Sequence, residues 1–128
     1  MILITGGAYH GKRNYAKQMY PGIDFVDGIS CAEETIFACQ GMDHFHSYIE
    51  NRMREGKKLT ELLAMVEKLA RENPEIVLIT DEIGYGIVPS DAFYREYRET
   101  HGRVCTQIAA EAKEVHRVIC GIGTVIKG

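Results

Sequence analysis

Short apolar runs alternate along the chain with segments whose apolar residues recur at helical spacing. The clearest run, residues 76–80, is rich in β-branched residues and lacks polar alternation, which is typical of a strand covered on both faces. Residues 2–5, 24–27 and 115–120 also have the character of strands, and residues 124–127 follow a glycine turn as a candidate edge strand. The pattern therefore predicts a sheet of about four or five strands.

Helical segments separate these runs. The strongest, residues 59–71, carries an apolar stripe made of Leu59, Leu62, Leu63, Val66, Leu69 and Ala70. Residues 13–19 and 105–114 are also predicted to be helical, whereas residues 29–58 have poor periodicity and are helical only in part. Strands that alternate with helices predict a single three-layer α/β domain over residues 1–128, with a mainly parallel sheet and right-handed crossovers.

Composition narrows the class of protein. Of the 128 residues 45% are hydrophobic and 26% are charged, and the net charge of −3 gives no general attraction to nucleic acid or anionic membranes. No apolar run is long enough to span a bilayer, and no signal-peptide pattern opens the sequence. The four cysteines lack C-x-x-C spacing, unlike a zinc or redox motif. We therefore expect a cytoplasmic protein that binds neither nucleic acid nor membranes.

A glycine-rich motif follows the first predicted strand and precedes a predicted helix. Its sequence, G-G-A-Y-H-G-K, fits the pattern G-x-x-x-x-G-K, in which backbone N–H groups surround phosphate oxygens and the lysine contacts the β- and γ-phosphates. The helix that follows directs its positive N-terminal end at the anion. This context favours nucleotide binding over a chance glycine turn. The predicted nucleotide-binding residues of this loop are Gly6, Gly7, Ala8, Tyr9, His10, Gly11, Lys12 and Arg13.

Position 13 departs from the usual form of such a loop. A serine or threonine normally follows the lysine, and its hydroxyl binds Mg²⁺, but this chain has Arg13. A guanidinium binds phosphate and is not a metal ligand. The loop therefore predicts a bound nucleotide and leaves the presence of Mg²⁺ open.

Acidic residues follow two of the predicted strands. Asp81 and Glu82 end the clearest strand, at the edge where open parallel sheets bind ligands. Because a carboxylate there binds Mg²⁺ or orients a nucleophile, we predict that Lys12, Asp81 and Glu82 are catalytic and that Asp27 and Asp81 bind the metal. The alternatives are an acidic loop or helix cap after the strand and an ordinary loop aspartate at position 27.

Basic residues elsewhere give further candidates. Arg95 and Arg98 are three residues apart and would share one face of a helix, where they could bind a phosphate group. Arg98 is therefore included among the predicted nucleotide-binding residues, the alternative being solvated arginines paired with nearby glutamates. His44 and His46 are two residues apart and would point to different faces of a helix, which is unsuited to a shared metal.

The segment that begins at Asp81 carries a family resemblance. Residues 81–89 read D-E-I-G-Y-G-I-V-P, which resembles the E-V-G-x-G-I-V-P element of the cobinamide kinase/cobinamide-phosphate guanylyltransferase family. Residues 6–13 follow the G-G-A-x-S-G-K-S loop of that family. Residues 95–112 keep the frame of its R-x-F-R-D-x-x-G-R-V-N-Q motif, and residues 121–127 match its closing G-x-x-x-x-x-K.

The resemblance implies a P-loop NTPase-like (RecA-like) fold, a homo-oligomer and a role in cobalamin biosynthesis. The implied reaction transfers phosphate from GTP or ATP to the aminopropanol hydroxyl of cobinamide, and guanylyl transfer through a histidine follows it. In the family that histidine precedes an acidic strand; here residues 25–27 resemble that strand, and no histidine lies between His10 and His44. We therefore expect the guanylyl-accepting segment to be deleted and the kinase step to be retained. The alternative is a non-catalytic nucleotide- or phosphate-binding descendant of the family.

Overall fold

A computed structural model describes residues 1–83 and 91–128 of the chain. The described part contains six strands, four α-helices and one 3₁₀ helix. In chain order the elements are β1 (Ile2–Gly6), α1 (Lys12–Met19), β2 (Phe25–Asp27), the 3₁₀ helix (Glu33–Phe37), β3 (Gly41–Asp43), α2 (Phe45–Arg54), α3 (Leu59–Glu72), β4 (Val77–Asp81), α4 (Ala92–Glu111), β5 (Glu114–Ile119) and β6 (Ile122–Lys127). Residues 84–89 of the family-like segment lie outside the described residues.

The strands form one sheet in the order β2-β3-β4-β1-β5-β6. Every pairing is parallel except that of β5 with β6, which is antiparallel. Strand β1 lies between β4 and β5, and its register with β4 sets Gly6 beside Asp81. The loop that follows β1 and the acidic residues that end β4 therefore emerge side by side.

Helices cover both faces of this sheet. Ile4 and Ile79 pack with Ala16 of α1 on one face, while Leu78 and Leu3 pack with residues of α2, α3 and α4 on the other. Because β1 and β4 are buried on both faces, both read in the sequence as continuous apolar runs. The predicted three-layer α/β class with a mainly parallel sheet is confirmed. No helix within the described residues has the length and apolar character of a membrane span.

Strand β3 is the element that the sequence pattern misses. It has only three residues and includes Gly41, whose missing side chain admits the Phe25 ring: a Cβ at residue 41 would lie 2.6 Å from Phe25 Cδ1. A short strand that contains glycine and ends in Asp43 gives little periodicity and little β-propensity. The described residues consequently form six strands rather than four or five, and the poorly periodic residues 29–58 contain the 3₁₀ helix, β3 and α2.

Helix α4 is longer than the predicted residues 105–114. It begins at Ala92, where the Asp91 carboxylate caps it by accepting a hydrogen bond of 2.8 Å from the Phe93 N–H. The helix continues for 20 residues to Glu111. Arg95, Arg98 and Gly102 therefore lie on one continuous helix.

Candidate functional site

The glycine-rich loop runs from the end of β1 to the start of α1. Gly6 lies against β5, and a Cβ there would meet the Val118 carbonyl oxygen at 2.4 Å. Gly11 precedes the first helical residue with a φ of 82°, in the left-handed region that favours glycine. The loop can therefore turn sharply and expose the N-terminal end of α1, which is a suitable site for an anion.

His10 fixes the shape of this loop against the β5–β6 turn. The Cys120 N–H donates to His10 Nδ1 at 3.0 Å, and the Gly121 N–H donates to the His10 carbonyl at 2.7 Å. Tyr9, in contrast, is fully exposed and has a φ of 63°. The structure thus places the two neighbouring loop residues in different roles, one packed against the sheet and one in solvent.

Lys12 and Asp81 form the centre of the site. Lys12 is 7% exposed, and its Nζ lies 2.7 Å from Asp81 Oδ1 and donates a second bond of 2.8 Å to the Gly7 carbonyl. Asp81 ends β4, so the parallel register of β1 and β4 brings it under the loop. Of the predicted catalytic residues, these two are brought into direct contact.

His46 contacts the other side of Asp81. The Asp81 N–H donates to His46 Nδ1 at 3.1 Å, and His46 Nε2 lies 3.4 Å from Asp81 Oδ2. Burial lowers the pKa of His46, and the Asp81 carboxylate opposes this shift only in part. Because Nδ1 accepts a hydrogen bond, the neutral imidazole carries its proton on Nε2, facing Asp81. No local motif signals this contact, since it joins residues 35 positions apart.

The carboxyl ends of β2 and β3 add two more carboxylates. Asp43 Oδ1 accepts a hydrogen bond of 2.8 Å from the His44 N–H, and its Oδ2 lies 3.8 Å from Arg13 Nε. Asp27 pairs with His44, whose Nδ1 lies 3.1 Å from Asp27 Oδ1. His44 precedes α2 with a φ of 54°, a conformation that is unfavourable for a β-branched residue.

These groups surround a cleft of about 370 Å³. Its lining includes loop residues 8 and 9 together with Gly11, Lys12, Arg13, Asp43, His44 and Asp81. Lysine and arginine side chains, a helix N-terminus and a glycine-rich backbone are the groups that bind phosphate in proteins. The cleft is therefore suited to an anionic ligand.

A metal ion shared directly by Asp27 and Asp81 does not fit this arrangement. Strand β3 lies between β2 and β4, which sets the ends of those two strands about 10 Å apart. Asp81 already faces Lys12, and Asp43 faces Arg13. Within residues 1–83 and 91–128 no group of three histidine, cysteine, aspartate or glutamate side chains is placed to hold a metal ion. Asp43, rather than Asp27, is the carboxylate on the strand next to β4.

Two other predicted residues lie outside the cleft. Glu82 points to β5, where its Oε1 and Oε2 accept hydrogen bonds of 2.8 and 3.2 Å from Arg117. Arg98 belongs to a different cleft, on α4, together with Ile83 and Gly102. The structure therefore does not bring Glu82 or Arg98 to Lys12 and Asp81.

Comparison with known proteins shows the family to which the chain belongs. Residues 26–126 match the model of the family described as cobinamide kinase/cobinamide phosphate guanyltransferase. The chain belongs to this family. It is 42% identical over 67 residues to the bifunctional adenosylcobalamin biosynthesis protein CobU of Escherichia coli (strain K12). It is 40% identical over 67 residues to the protein of the same description from Salmonella typhimurium (strain LT2). Each aligned stretch covers 52% of this chain and only 37% of the relative.

The segment between α1 and β4 is the part of the chain in which the family carries its acidic strand and its guanylyl-accepting histidine. Strand β2 (Phe25–Asp27), which resembles the acidic strand of the family, does not pair with β4, because β3 and its Asp43 lie between them. The described chain therefore has one more short strand in this segment than the sequence pattern indicates, and the deletion of the guanylyl-accepting segment stays a prediction. Between β2 and β3 the described chain has a 3₁₀ helix, and residues 28–40 contain no histidine.

Proposed function

We propose that this member of the cobinamide kinase/cobinamide phosphate guanyltransferase family binds GTP or ATP at the loop of residues 6–13 and carries out the kinase step. The acceptor is the aminopropanol hydroxyl of cobinamide. The observation that carries the proposal is the contact of 2.7 Å between Lys12 and Asp81 beneath that loop. The absence of histidine from residues 28–40 favours the kinase step over guanylyl transfer.

Lys12 retains the capacity to bind phosphate while it contacts Asp81. An ammonium group has three N–H donors, and Lys12 uses two of them, on the Gly7 carbonyl and the Asp81 carboxylate. The third donor serves a β- or γ-phosphate oxygen. The exposed Arg13 guanidinium and the N-terminal end of α1 add positive charge on the same side of the cleft.

Asp81 is the residue best placed to receive the acceptor's proton. In the proposed step the hydroxyl oxygen bonds to the γ-phosphorus as the bond from that phosphorus to the β–γ bridging oxygen breaks. The nucleoside diphosphate leaves, and the hydroxyl proton passes to the Asp81 carboxylate. Neutral His46 has no free acceptor nitrogen in this arrangement, so it acts as a positioning residue for Asp81. Glu82, predicted to be catalytic, has no part in this proposal because Arg117 occupies its carboxylate.

The test is transfer of labelled γ-phosphate from GTP or ATP to cobinamide, followed by chromatography. We expect Lys12→Ala to lower turnover by a factor on the order of 10²–10³, the usual effect of losing one charge-stabilising donor. Lys17→Ala is the matched control, because Lys17 is an exposed lysine in the last turn of the same helix. Equal turnover of Lys12→Ala and the unchanged protein would overturn the assignment of the site.

A second candidate function is nucleotide or phosphate binding without turnover. It is favoured by Arg13, which stands where the loop usually carries a hydroxyl and lies 3.8 Å from Asp43. This candidate predicts nucleotide affinity that differs by less than about twofold between Mg²⁺ and EDTA, and no product from cobinamide. Metal-dependent binding accompanied by product would exclude it. Arg13→Ser completes the test, because a gain in Mg²⁺ dependence would show that the arginine alone removes the metal position.

A further inference from the structure

A second cleft lies on helix α4, apart from the cleft at the phosphate loop. It has a volume of about 590 Å³, and its lining includes Ile83, Arg95, Arg98, Glu99, Gly102 and Arg103. Three arginines and one glutamate give this lining a net charge of +2. A positive concave surface on a protein of net charge −3 is a local feature that attracts anions.

The helical repeat explains how these residues come together. Arg98, Gly102 and Thr106 follow one another at intervals of four residues and form one row along α4. Arg103, in the neighbouring row, is held by Glu99, with Nη2 3.0 Å from Oε1. Among residues 1–83 and 91–128 no carboxylate pairs with the half-buried Arg98. Among these described residues no carboxylate therefore competes with a ligand for its guanidinium donors.

Gly102 keeps the middle of this row open. Glycine is among the least favourable residues in a helix interior, and a Cβ at this position would meet no atom within 4 Å. Packing among the described residues therefore gives no reason for a glycine here. Its missing side chain leaves open space between Arg98 and Thr106 in the lining of the cleft.

The cleft on α4 is close along the chain to the site of the proposed reaction. Asp81 lines the first cleft and Ile83 lines the second. Two residues of chain span at most about 7 Å between Cα atoms. A phosphoryl group transferred beside Asp81 would become part of a phosphate monoester within reach of this second basic surface.

We propose that the cleft on α4 binds the phosphate of a phosphate monoester, with Arg98 as its principal ligand. A planar guanidinium forms two parallel hydrogen bonds with phosphate oxygens, which an ammonium group cannot do. The assignment of the monoester as the product of the kinase step rests on the proposed function. Binding of phosphate at Arg98 does not depend on it.

The test is a titration of the ¹⁵N-labelled protein, without nucleotide, followed by amide and arginine side-chain NMR signals. The probes are 1-amino-2-propanol phosphate and, in a separate arm, inorganic phosphate. We expect the monoester to shift the signals of Arg98 and Gly102, and its Kd to rise at least about 10-fold in Arg98→Ala and in Gly102→Ala. Arg71→Ala, an exposed arginine at the end of α3, is the control and should leave the Kd unchanged.

Gly102→Ala separates a binding role from a structural one. Alanine favours a helix, so this variant should melt at the same or a higher temperature while it binds the monoester more weakly. The same Kd in Arg98→Ala and Arg71→Ala, or shifts confined to residues 6–13, would overturn the proposal. Equal affinity for inorganic phosphate and the monoester would overturn the product assignment. The Lys12→Ala variant should still bind the monoester at α4. Loss of nucleotide binding at the loop and loss of monoester binding at α4 can therefore be measured separately.

Discussion

Lys12 Nζ lies 2.7 Å from Asp81 Oδ1, so the first residue of α1 contacts the last residue of β4. The contact follows from the parallel pairing of β1 with β4, which sets Gly6 beside Asp81. It places a positive and a negative group at the edge of the sheet where ligands of parallel α/β proteins bind.

Replacement of Asp81 should separate catalysis from binding. In Asp81→Asn we expect cobinamide phosphorylation to fall by a factor on the order of 10²–10⁴, because the proposed proton acceptor is lost. Nucleotide affinity should be unchanged or higher, since Lys12 no longer faces a competing carboxylate. Turnover and calorimetric titration measure the two effects. Asp24→Asn, an exposed aspartate that precedes β2, is the control. A parallel loss of binding and turnover in Asp81→Asn would contradict the proposed role.

His101 should make the protein less stable as the pH falls. Burial lowers its pKa from 6.5 to about 4, and its Nε2 lies 2.8 Å from Thr80 Oγ1. Below pH 6.5 the unfolded chain takes up a proton that the folded chain does not accept until about pH 4, so folding loses stability across this window. The loss is roughly 3 kcal/mol over that range.

Urea denaturation at pH 7.0, 5.5 and 4.5 measures this dependence. In His101→Gln the free energy of unfolding should be lower at pH 7.0 and should fall less steeply with acidification than in the unchanged protein. An identical pH dependence in the two proteins would show that His101 is not the group responsible.

Tyr15 should stabilise the folded protein through its contact between helix α1 and strand β5. Its hydroxyl lies 2.6 Å from Nδ1 of the fully buried His116, and His116 Nε2 lies 2.9 Å from Glu114 Oε1. In Tyr15→Phe the buried Nδ1 loses this partner, which should lower the free energy of unfolding by about 1–3 kcal/mol. Chemical denaturation measures the change, and Tyr94→Phe, on the exposed side of α4, should stay within about 0.5 kcal/mol.

We propose that the chain forms the homo-oligomer that the family resemblance implies, and that the exposed apolar residues of the β5–β6 hairpin form its contact. Ile122 is 72% exposed and Ile126 is 60% exposed, both on β6 at one edge of the sheet. Unpaired edge strands and apolar patches are common sites of association. We expect light scattering coupled to gel filtration to show an oligomer that the double substitution Ile122→Lys, Ile126→Lys dissociates. A monomeric unchanged protein would contradict this prediction.

The sequence predicts those parts of the structure whose pattern lies within one short, contiguous segment. Strand β4 is a continuous apolar run, and the loop before Lys12 is a contiguous motif, so each can be recognised without knowledge of the fold. Strand β3 could not be recognised, because the need for glycine at residue 41 comes from the side chains of Ile23 and Phe25, which pack on it in the folded chain. Because β3 was not recognised, Asp27 was predicted as the second carboxylate of the site, although Asp43 ends the strand next to β4.

The contacts of the candidate site depend on elements far apart in the chain. His46 reaches Asp81 because α2 packs against β4, and nothing in the sequence around His46 signals that contact. Glu82 and Asp81 are adjacent, yet successive side chains of an extended chain point in opposite directions. Glu82 accordingly pairs with Arg117 while Asp81 contacts Lys12. Adjacent acidic residues were therefore a poor guide to a shared role.

Calorimetric titration of GTP and of ATP into the unchanged protein, Lys12→Ala and Lys17→Ala tests the central claim most directly. If the loop binds the nucleotide phosphates, one of these nucleotides should bind the unchanged protein and Lys17→Ala with the same affinity. Its Kd should rise at least about 10-fold in Lys12→Ala, as expected when a charged phosphate contact is lost. Equal affinity in Lys12→Ala and the unchanged protein, or no binding of either nucleotide to the unchanged protein, would contradict the account.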